Sequence, residues 1–245
     1  MSNEVLVFPD REALSRAAAE RLVDVVEAVL AEKDRAALAL AGGSTPRRLY
    51  EILAETYRDR LPWDRLALFW GDERFVPADH PASNYRMAAD ALLRHVPLPP
   101  EHVFPIPTHA ASPDDAADTY EATLRSFFDT PDPAFDLTLL GLGNDGHTAS
   151  LFLEDTPHTR DDPARWVEAV VAPPRYEIRP RITLTLPALN ASRHVFFLVA
   201  GEGKRAVLRA VLDQADPLLP AAYVRAREYL TWWVDEAAFG EKRKG

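Results

Sequence analysis

The 245-residue sequence contains no cysteine, which excludes disulfide bonds, thiol nucleophiles and thiolate metal sites. It also has no apolar run near the roughly 20 residues that a membrane-spanning helix needs. Its first residues, MSNEVLVFPDREAL, lack the basic segment and the long apolar segment of a secretory signal. From these absences we expect a cytoplasmic protein with no membrane partner.

Positive charge is scarce as well. Lysine and arginine number 28 against 38 aspartate and glutamate residues, which gives a formal net charge of -10 at pH 7. Such a surface repels the nucleic acid backbone and anionic lipid, so we expect neither as a partner. It would also weakly repel an anionic metabolite. Any anion site must therefore be built locally from Lys, Arg and backbone N–H groups.

What the sequence does contain is an alternation of apolar strands and amphipathic helices. Strands are predicted at 36–41, 66–70, 135–141, 166–172, 181–186, 194–200 and 229–234. Helices are predicted after Asp10 and at 46–57, 84–96, 113–128 and 202–212. This order predicts an α/β fold in three layers, with a mostly parallel sheet covered by helices on both faces. No linker is long or polar enough to divide the chain, so we expect residues 1–245 to form a single domain.

Four predicted strands run directly into polar, glycine-containing segments: AALALA into GGSTP, LALFW into GDER, FDLTLLG into LGNDGH, and HVFFLVA into GEGK. In open parallel sheets, ligands bind beyond the carboxyl ends of the strands. We therefore expect these four segments to form one site.

The first of these segments, GGSTPRRL, has the composition of an anion site. Glycines let the backbone approach a ligand, and the N–H groups and dipole of a helix start favour a negative charge. The residues concerned are Gly43, Ser44 and Thr45. The alternative is an ordinary Ser or Thr N-cap before Pro46 at the first helical position. No Walker A motif occurs in the chain, so nucleoside triphosphate chemistry has little support.

Further candidates for the site are charged. GDER places Asp72, Glu73 and Arg74 after a strand, and a planar guanidinium suits phosphate or carboxylate. The alternative is a solvated turn with a local ion pair. Arg181 and Lys204 are additional candidate cations. Each alone is typical of a surface charge, and only their positions at strand ends favour a site.

The segment GLGNDG fits the dinucleotide pattern G-x-G-x-x-G. That use requires an acidic residue at the end of the next strand, about 20 residues on. Asp161 and Asp162 lie at that separation but precede the strand 166–172. A nucleotide site is therefore disfavoured.

His147, one residue after this pattern, is a better candidate for chemistry. Asp145 is close enough to orient its imidazole, and an unperturbed histidine titrates near pH 6.5, which suits a general base. We expect a short helix from His147. No second histidine falls at a spacing that completes a metal ligand set, and no G-x-S-x-G elbow of a serine hydrolase is present.

Longer segments carry a family resemblance. LALAGGSTPRRLYEIL, FWGDERFVPADHPASNYRMA, FDLTLLGLGNDGHTASLF and RITLTLPALNASRHVFFLVAGEGK together resemble the 6-phosphogluconolactonases of the pentose phosphate pathway. The resemblance spans nearly the whole chain. GGSTP alone is shared with the related glucosamine-6-phosphate deaminases. The resemblance implies a Rossmann-like fold of the deaminase and ribose-phosphate-isomerase type.

The resemblance also implies an activity: hydrolysis of 6-phospho-D-glucono-1,5-lactone, a small sugar-phosphate substrate, without a cofactor or metal. It implies that His147 is the catalytic base and that Asp145 and Asp72 belong to the active-site rim. The residues implied for the phosphate and sugar-acid pocket are Gly43, Ser44, Thr45, Arg74, Arg181 and Lys204.

The sequence departs from two related patterns. The family usually continues SLF with Pro-Gly, whereas Leu153 and Glu154 follow here, which concerns the loop that borders the site. In the deaminases an acidic residue soon after the loop partners the histidine. The corresponding position here is about Phe152, so the resemblance favours the lactonases.

Overall fold

The computed structural model describes residues 2–130, 132–152, 165–213 and 218–240. Leu153, Glu154, Asp161 and Asp162 lie outside the described residues. The strands are β1 (Ser2–Phe8), β2 (Ala36–Leu40), β3 (Leu66–Trp70), β4 (Asp72–Arg74), β5 (Leu137–Leu140), β6 (Val167–Val171), β7 (Pro180–Leu184), β8 (His194–Val199) and β9 (Tyr229–Asp235). The α-helices are α1 (Arg11–Glu32), α2 (Ser44–Thr56), α3 (Asn84–Ala91), α4 (Pro113–Phe128), α5 (Leu186–Asn190), α6 (Arg205–Leu212) and α7 (Glu236–Phe239).

Six strands form the main sheet in the order β1-β9-β8-β5-β2-β3, and all the described pairings in it are parallel. Every residue of β2, β3, β5 and β8 is buried, as expected for the centre of a parallel sheet covered by other elements. Helix α1 packs against α2 and β9. The prediction of an α/β fold with a mostly parallel sheet is confirmed.

The sequence did not predict a second sheet. Strands β4, β7 and β6 form an antiparallel sheet of three strands, so the strands predicted at 166–172 and 181–186 lie outside the main sheet. The chain crosses between the sheets at Gly71. Its N–H donates to Leu40 O on β2 at 2.9 Å, and its carbonyl accepts from Leu184 N on β7 at 2.8 Å. The second sheet is thus attached where β3 ends.

Short 3₁₀ helices complete the described elements, at Trp63–Arg65, Leu93–His95, Pro100–His102, Glu202–Lys204 and Pro220–Tyr223. The predicted start of α1 is correct, because Asp10 Oδ1 accepts from Ala13 N at 2.8 Å as an N-cap. None of the described helices is long and apolar enough to cross a bilayer.

Two local predictions were wrong. Helix α2 begins at Ser44, which puts Pro46 at the third helical position rather than the first. The predicted helix from His147 is a turn instead. Ala149 has a left-handed φ of 47°, and Thr148 pairs with Leu151 in an isolated bridge. A left-handed residue interrupts the repeating helical geometry, which explains the difference.

Candidate active site

The four predicted segments meet, because β8, β5, β2 and β3 are neighbours that run in the same direction. Their carboxyl ends surround a cavity of about 330 Å³. The predicted site residues that line it are Gly43, Ser44, Thr45, Asp72, Arg74, His147, Arg181 and Lys204. Asp145 lies against His147. The structure thus brings these nine residues together, whereas Glu73, also a candidate, does not line the cavity.

The cavity receives the start of α2. Gly43 is the N-cap with a φ of 106°, a conformation that favours glycine, and no side chain caps the helix. The alternative of a Ser or Thr N-cap is therefore wrong. Ser44 and Thr45 occupy the first helical turn, where N–H groups have no partner within a helix. These groups and the helix dipole favour an anion in the cavity.

The glycines of GLGNDG serve a tight turn. A Cβ on Gly143 would lie 1.9 Å from His147 Nδ1, and Gly143 N donates to His147 O at 2.8 Å. Gly146 has a φ of 81°, and a Cβ there would lie 2.5 Å from Leu219 Cδ2. Glycine at position 143 thus leaves room for the imidazole, and glycine at position 146 allows the positive φ of the turn beside Leu219.

His147 is held by a compact set of contacts. Its Nδ1 lies 2.5 Å from Asp145 Oδ1 and 3.1 Å from the Tyr176 hydroxyl. Its ring packs against Phe152, with the centroids 4.8 Å apart. Because Nδ1 faces Asp145, Nε2 is the nitrogen left without a hydrogen bond within the described part of the chain. A neutral imidazole in this orientation can accept a proton at Nε2.

Asp145 accepts at both of its oxygens. Oδ2 accepts from the Tyr176 hydroxyl at 3.0 Å and from Arg175 Nε at 3.1 Å, and it also contacts Arg175 Nη2. Burial acts to raise the pKa of Asp145, but the hydrogen bonds from His147, Arg175 and Tyr176 outweigh it and hold that pKa well below its usual range. Asp145 is therefore an anion at neutral pH.

Sequence reasoning missed Arg175 and Tyr176. They lie in the loop between β6 and β7, about thirty positions from Asp145 in sequence. Their contact depends on the second sheet, which local patterns did not predict. The sequence contains one indication of these residues. The loop is polar and aromatic, and it precedes the strand that carries the candidate Arg181.

Three side chains that line the cavity, Arg74, Arg181 and Lys204, form a cationic wall. Arg74 Nη1 donates to Ala82 O at 2.6 Å, and Arg181 Nε donates to Ile178 O at 2.9 Å. Within the described ranges, Arg74, Arg181 and Lys204 form no ion pair with a carboxylate, and Arg74 Nε is buried without a hydrogen-bond partner. Burial and then the nearby Arg74 lower the pKa of Arg181, and burial lowers the pKa of Lys204. These cations are thus available to an anionic ligand.

The two carboxylates of GDER differ in role. Glu73 is buried and accepts from the backbone N–H groups of Arg74, Asn84 and Tyr85, each at 2.8 Å. Burial raises the pKa of Glu73 despite these bonds. Glu73 therefore anchors the start of α3, and the alternative of a solvated turn with a local ion pair is wrong.

Asp72 faces the cavity instead. Its Oδ2 accepts from Ser150 Oγ at 2.6 Å, and Asn84 Nδ2 donates to its backbone oxygen at 2.9 Å. Asn84 also fills the space beside Gly42, where a Cβ would lie 2.0 Å from Asn84 Oδ1. These contacts fix Asp72 at the rim. In the described part of the chain, no group of three or more His, Asp or Glu side chains is arranged to hold a metal ion.

Comparisons with known proteins agree with this arrangement. A family model described as "Glucosamine-6-phosphate isomerases/6-phosphogluconolactonase" matches residues 9–233. The chain is 42% identical over 244 residues to a 6-phosphogluconolactonase of Synechocystis sp., and the match covers 97% of this chain and 98% of that protein. It is 39% identical over 250 residues to the Mycobacterium tuberculosis 6-phosphogluconolactonase, with coverage of 97% and 98%.

Solved structures are similar over the same extent. The 6-phosphogluconolactonase of Thermotoga maritima matches with a TM-score of 0.84 and 34% identity, covering 96% of this chain and all of that one (100%). The Trypanosoma brucei enzyme matches with a TM-score of 0.87 and 30% identity, covering 97% of each chain. A monomeric glucosamine-6-phosphate deaminase, 22% identical with a TM-score of 0.79, shares the fold. The chain belongs to the glucosamine-6-phosphate isomerase/6-phosphogluconolactonase family.

Proposed function

We propose that this chain hydrolyses 6-phospho-D-glucono-1,5-lactone to 6-phospho-D-gluconate, as a 6-phosphogluconolactonase of the oxidative pentose phosphate pathway. The relatives named above support this substrate. The observation that carries the proposal is one cavity lined by His147, which pairs with Asp145, and by three cations that form no ion pair with a carboxylate in the described ranges. Such a cavity suits a substrate with a reactive carbonyl and a distant phosphate.

In this proposal the substrate phosphate binds at the cationic wall. Arg74, Arg181 and Lys204 supply charge, and the first turn of α2, from Gly43 through Thr45, supplies backbone donors. A phosphate held far from C1 orients the lactone without taking part in bond breaking. The local cations also offset the repulsion expected from the net charge of -10.

His147 then acts as the general base. Its Nε2 removes a proton from water as the water oxygen attacks C1, and the carbonyl oxygen becomes an oxyanion. Backbone N–H groups of the glycine-containing loops, or an arginine, stabilise that charge. The oxyanion collapses, the bond from C1 to the ring oxygen breaks, and His147 returns its proton to that oxygen. The carboxylic acid product then ionises.

Asp145 stays ionised through these steps. It holds the proton of the neutral imidazole at Nδ1 and stabilises the imidazolium that forms. Asp72 stays at the rim. A lactone is an activated ester, so one placed base, which contributes roughly 10²–10⁴-fold, is sufficient without a cofactor.

A lactone-hydrolysis assay of the purified protein tests the proposal, with uncatalysed loss subtracted. His147→Ala should lower kcat by roughly 10²–10⁴-fold and leave the circular dichroism spectrum unchanged. Near-parental turnover in that variant would remove His147 from the base role. A parent protein with no lactonase activity would instead favour a sugar-phosphate-binding regulator on the same fold.

A further inference from the structure

Tyr176 links the imidazole–carboxylate pair to the cationic wall. Its hydroxyl lies 3.0 Å from Asp145 Oδ2 and 3.1 Å from His147 Nδ1. Its ring meets the His147 ring edge to face, with the centroids 5.6 Å apart. The guanidinium of Arg181 lies over the same ring, 5.8 Å from its centroid. One side chain thus contacts both the imidazole–carboxylate pair and the cationic wall.

The backbone fixes this position. Ala172 N donates to Arg179 O at 2.7 Å, which closes the loop between β6 and β7, and Tyr176 N donates to Pro173 O at 3.0 Å. Phe152 packs on both the Tyr176 ring and the His147 ring, at 5.3 Å and 4.8 Å between centroids. Arg175, the preceding residue, binds the same oxygen of Asp145 that Tyr176 binds. The loop therefore presents two adjacent donors to one carboxylate oxygen.

The direction of these hydrogen bonds follows from chemistry. The Nδ1 proton is directed at Asp145 Oδ1, since that distance is 2.5 Å. The Tyr176 hydroxyl then donates to Asp145 Oδ2, and only its oxygen faces Nδ1. Donors on Oδ2 draw negative charge away from Oδ1. They therefore weaken the pull of Asp145 on the imidazole proton.

We propose that Tyr176, with Arg175, is a positioning residue that sets the basicity of His147 through Asp145 and supports Arg181 with its ring. The hydroxyl acts on the base, and the ring acts on the anion-binding wall. The two roles are separable, because phenylalanine keeps the aromatic ring without the hydroxyl, whereas leucine keeps neither the ring nor the hydroxyl. The kinetic part of this inference rests on the proposed lactonase function.

The test compares Tyr176→Phe and Tyr176→Leu with the parent protein. Without the hydroxyl, the Asp145–His147 pair loses a contact that holds it in its orientation, so kcat should fall about tenfold in Tyr176→Phe while KM stays within about twofold. The acid limb of the pH profile of kcat/KM for Tyr176→Phe should move to higher pH, because Asp145 then stabilises the imidazolium more strongly. Tyr176→Leu should show the same changes together with a raised KM. Tyr57→Phe, a half-buried tyrosine at the C-terminal end of α2, is the matched control.

A second measurement does not depend on activity. The pKa of the His147 imidazole, followed by NMR and identified with His147→Gln, should rise in Tyr176→Phe and rise further in Arg175→Gln, which also removes a positive charge. Unchanged histidine titration in both variants would overturn the proposal, as would a kcat loss that follows thermal stability alone. If the parent lacks lactonase activity while the titration shifts, the proposed function fails and the positioning role stands.

Discussion

Replacement of Asp145 by asparagine tests whether the carboxylate sets the tautomer of His147. The carboxylate accepts at both oxygens, from His147 Nδ1 on one and from Arg175 and Tyr176 on the other. An asparagine amide can accept at only one. Two donors favour its oxygen on the side of Arg175 and Tyr176, which turns the NH₂ group toward Nδ1. His147 must then accept at Nδ1 and carry its proton on Nε2, where it cannot act as a base.

The expected loss follows from that geometry. A hydrogen bond to a charged group contributes about 1.5–3 kcal/mol, which corresponds to a factor of about 10 to 150 in rate. The wrong tautomer adds to this, so we expect kcat to fall by roughly 10²–10⁴-fold. KM should change by less than about threefold, because Asp145 lies behind His147 and outside the lining of the cavity.

The assay is initial-rate lactone hydrolysis over a range of substrate concentrations, for Asp145→Asn and for Asp64→Asn. Asp64 is exposed in a 3₁₀ helix away from the site, so this control makes the same change of charge at the surface. The control should match the parent. An Asp145→Asn variant that keeps more than about a tenth of the parental kcat would refute the tautomer argument.

Other perturbations address the remaining parts of the site. Lys204→Ala should raise KM by about tenfold or more with little change in kcat, since a distal phosphate contact is largely uniform binding; equal efficiency on unphosphorylated gluconolactone would contradict a phosphate pocket. Activity should survive exhaustive chelation, and a loss that a divalent ion restores would give Asp145 and His147 ligand roles. The lowered pKa of Asp145 means that its ionised form stabilises the fold above the unfolded pKa of about 3.9, and this contribution is lost as pH falls toward the folded pKa. The difference in unfolding free energy between the parent and Asp145→Asn should therefore shrink as the pH falls below about pH 4; a difference that grows there would show the wrong sign. Glucosamine-6-phosphate should yield no detectable ammonia where the lactone is hydrolysed rapidly, and comparable ammonia release would favour the deaminase.

The convergence of the site was predictable because it depends on local patterns. Buried apolar runs identify the strands, and parallel strands bring their carboxyl ends to one edge, so GGSTP, GDER, LGNDGH and GEGK had to meet. The second sheet was not predictable in this way. Its strands β6 and β7 also contain apolar residues in strand-like runs, and the long-range pairing of β7 with β4 is what places them in a separate sheet. The single-domain organisation over residues 1–245 stays a prediction.

Most contacts of Asp145 could not be predicted from the sequence either, because they too depend on long-range pairing. Asp145 and His147 are two residues apart, and their pairing was expected from that spacing. Arg175 and Tyr176 reach Asp145 only because the second sheet brings the loop between β6 and β7 beside the turn that carries Asp145. The backbone conformation of Ala149 could not be predicted for a different reason. Nothing in its identity predicts the left-handed φ of 47° that replaces the expected helix with a turn.

The surroundings of His147 bear on which chemistry of this family the site supports. Phe152 is 1% exposed and packs on the imidazole, at about the position where the deaminase pattern has an acidic residue. Asp145 is the carboxylate that hydrogen-bonds His147 in the described part of the chain, and its contacts with Arg175 and Tyr176 keep it ionised. A histidine with one permanently ionised partner and an apolar neighbour can take a proton from water and return it to a leaving oxygen. Ring opening and deamination of an amino sugar need a second proton carrier, whereas lactone hydrolysis needs one base, one water and donors for the oxyanion. The apolar wall at Phe152 therefore favours hydrolysis on a fold that both activities share.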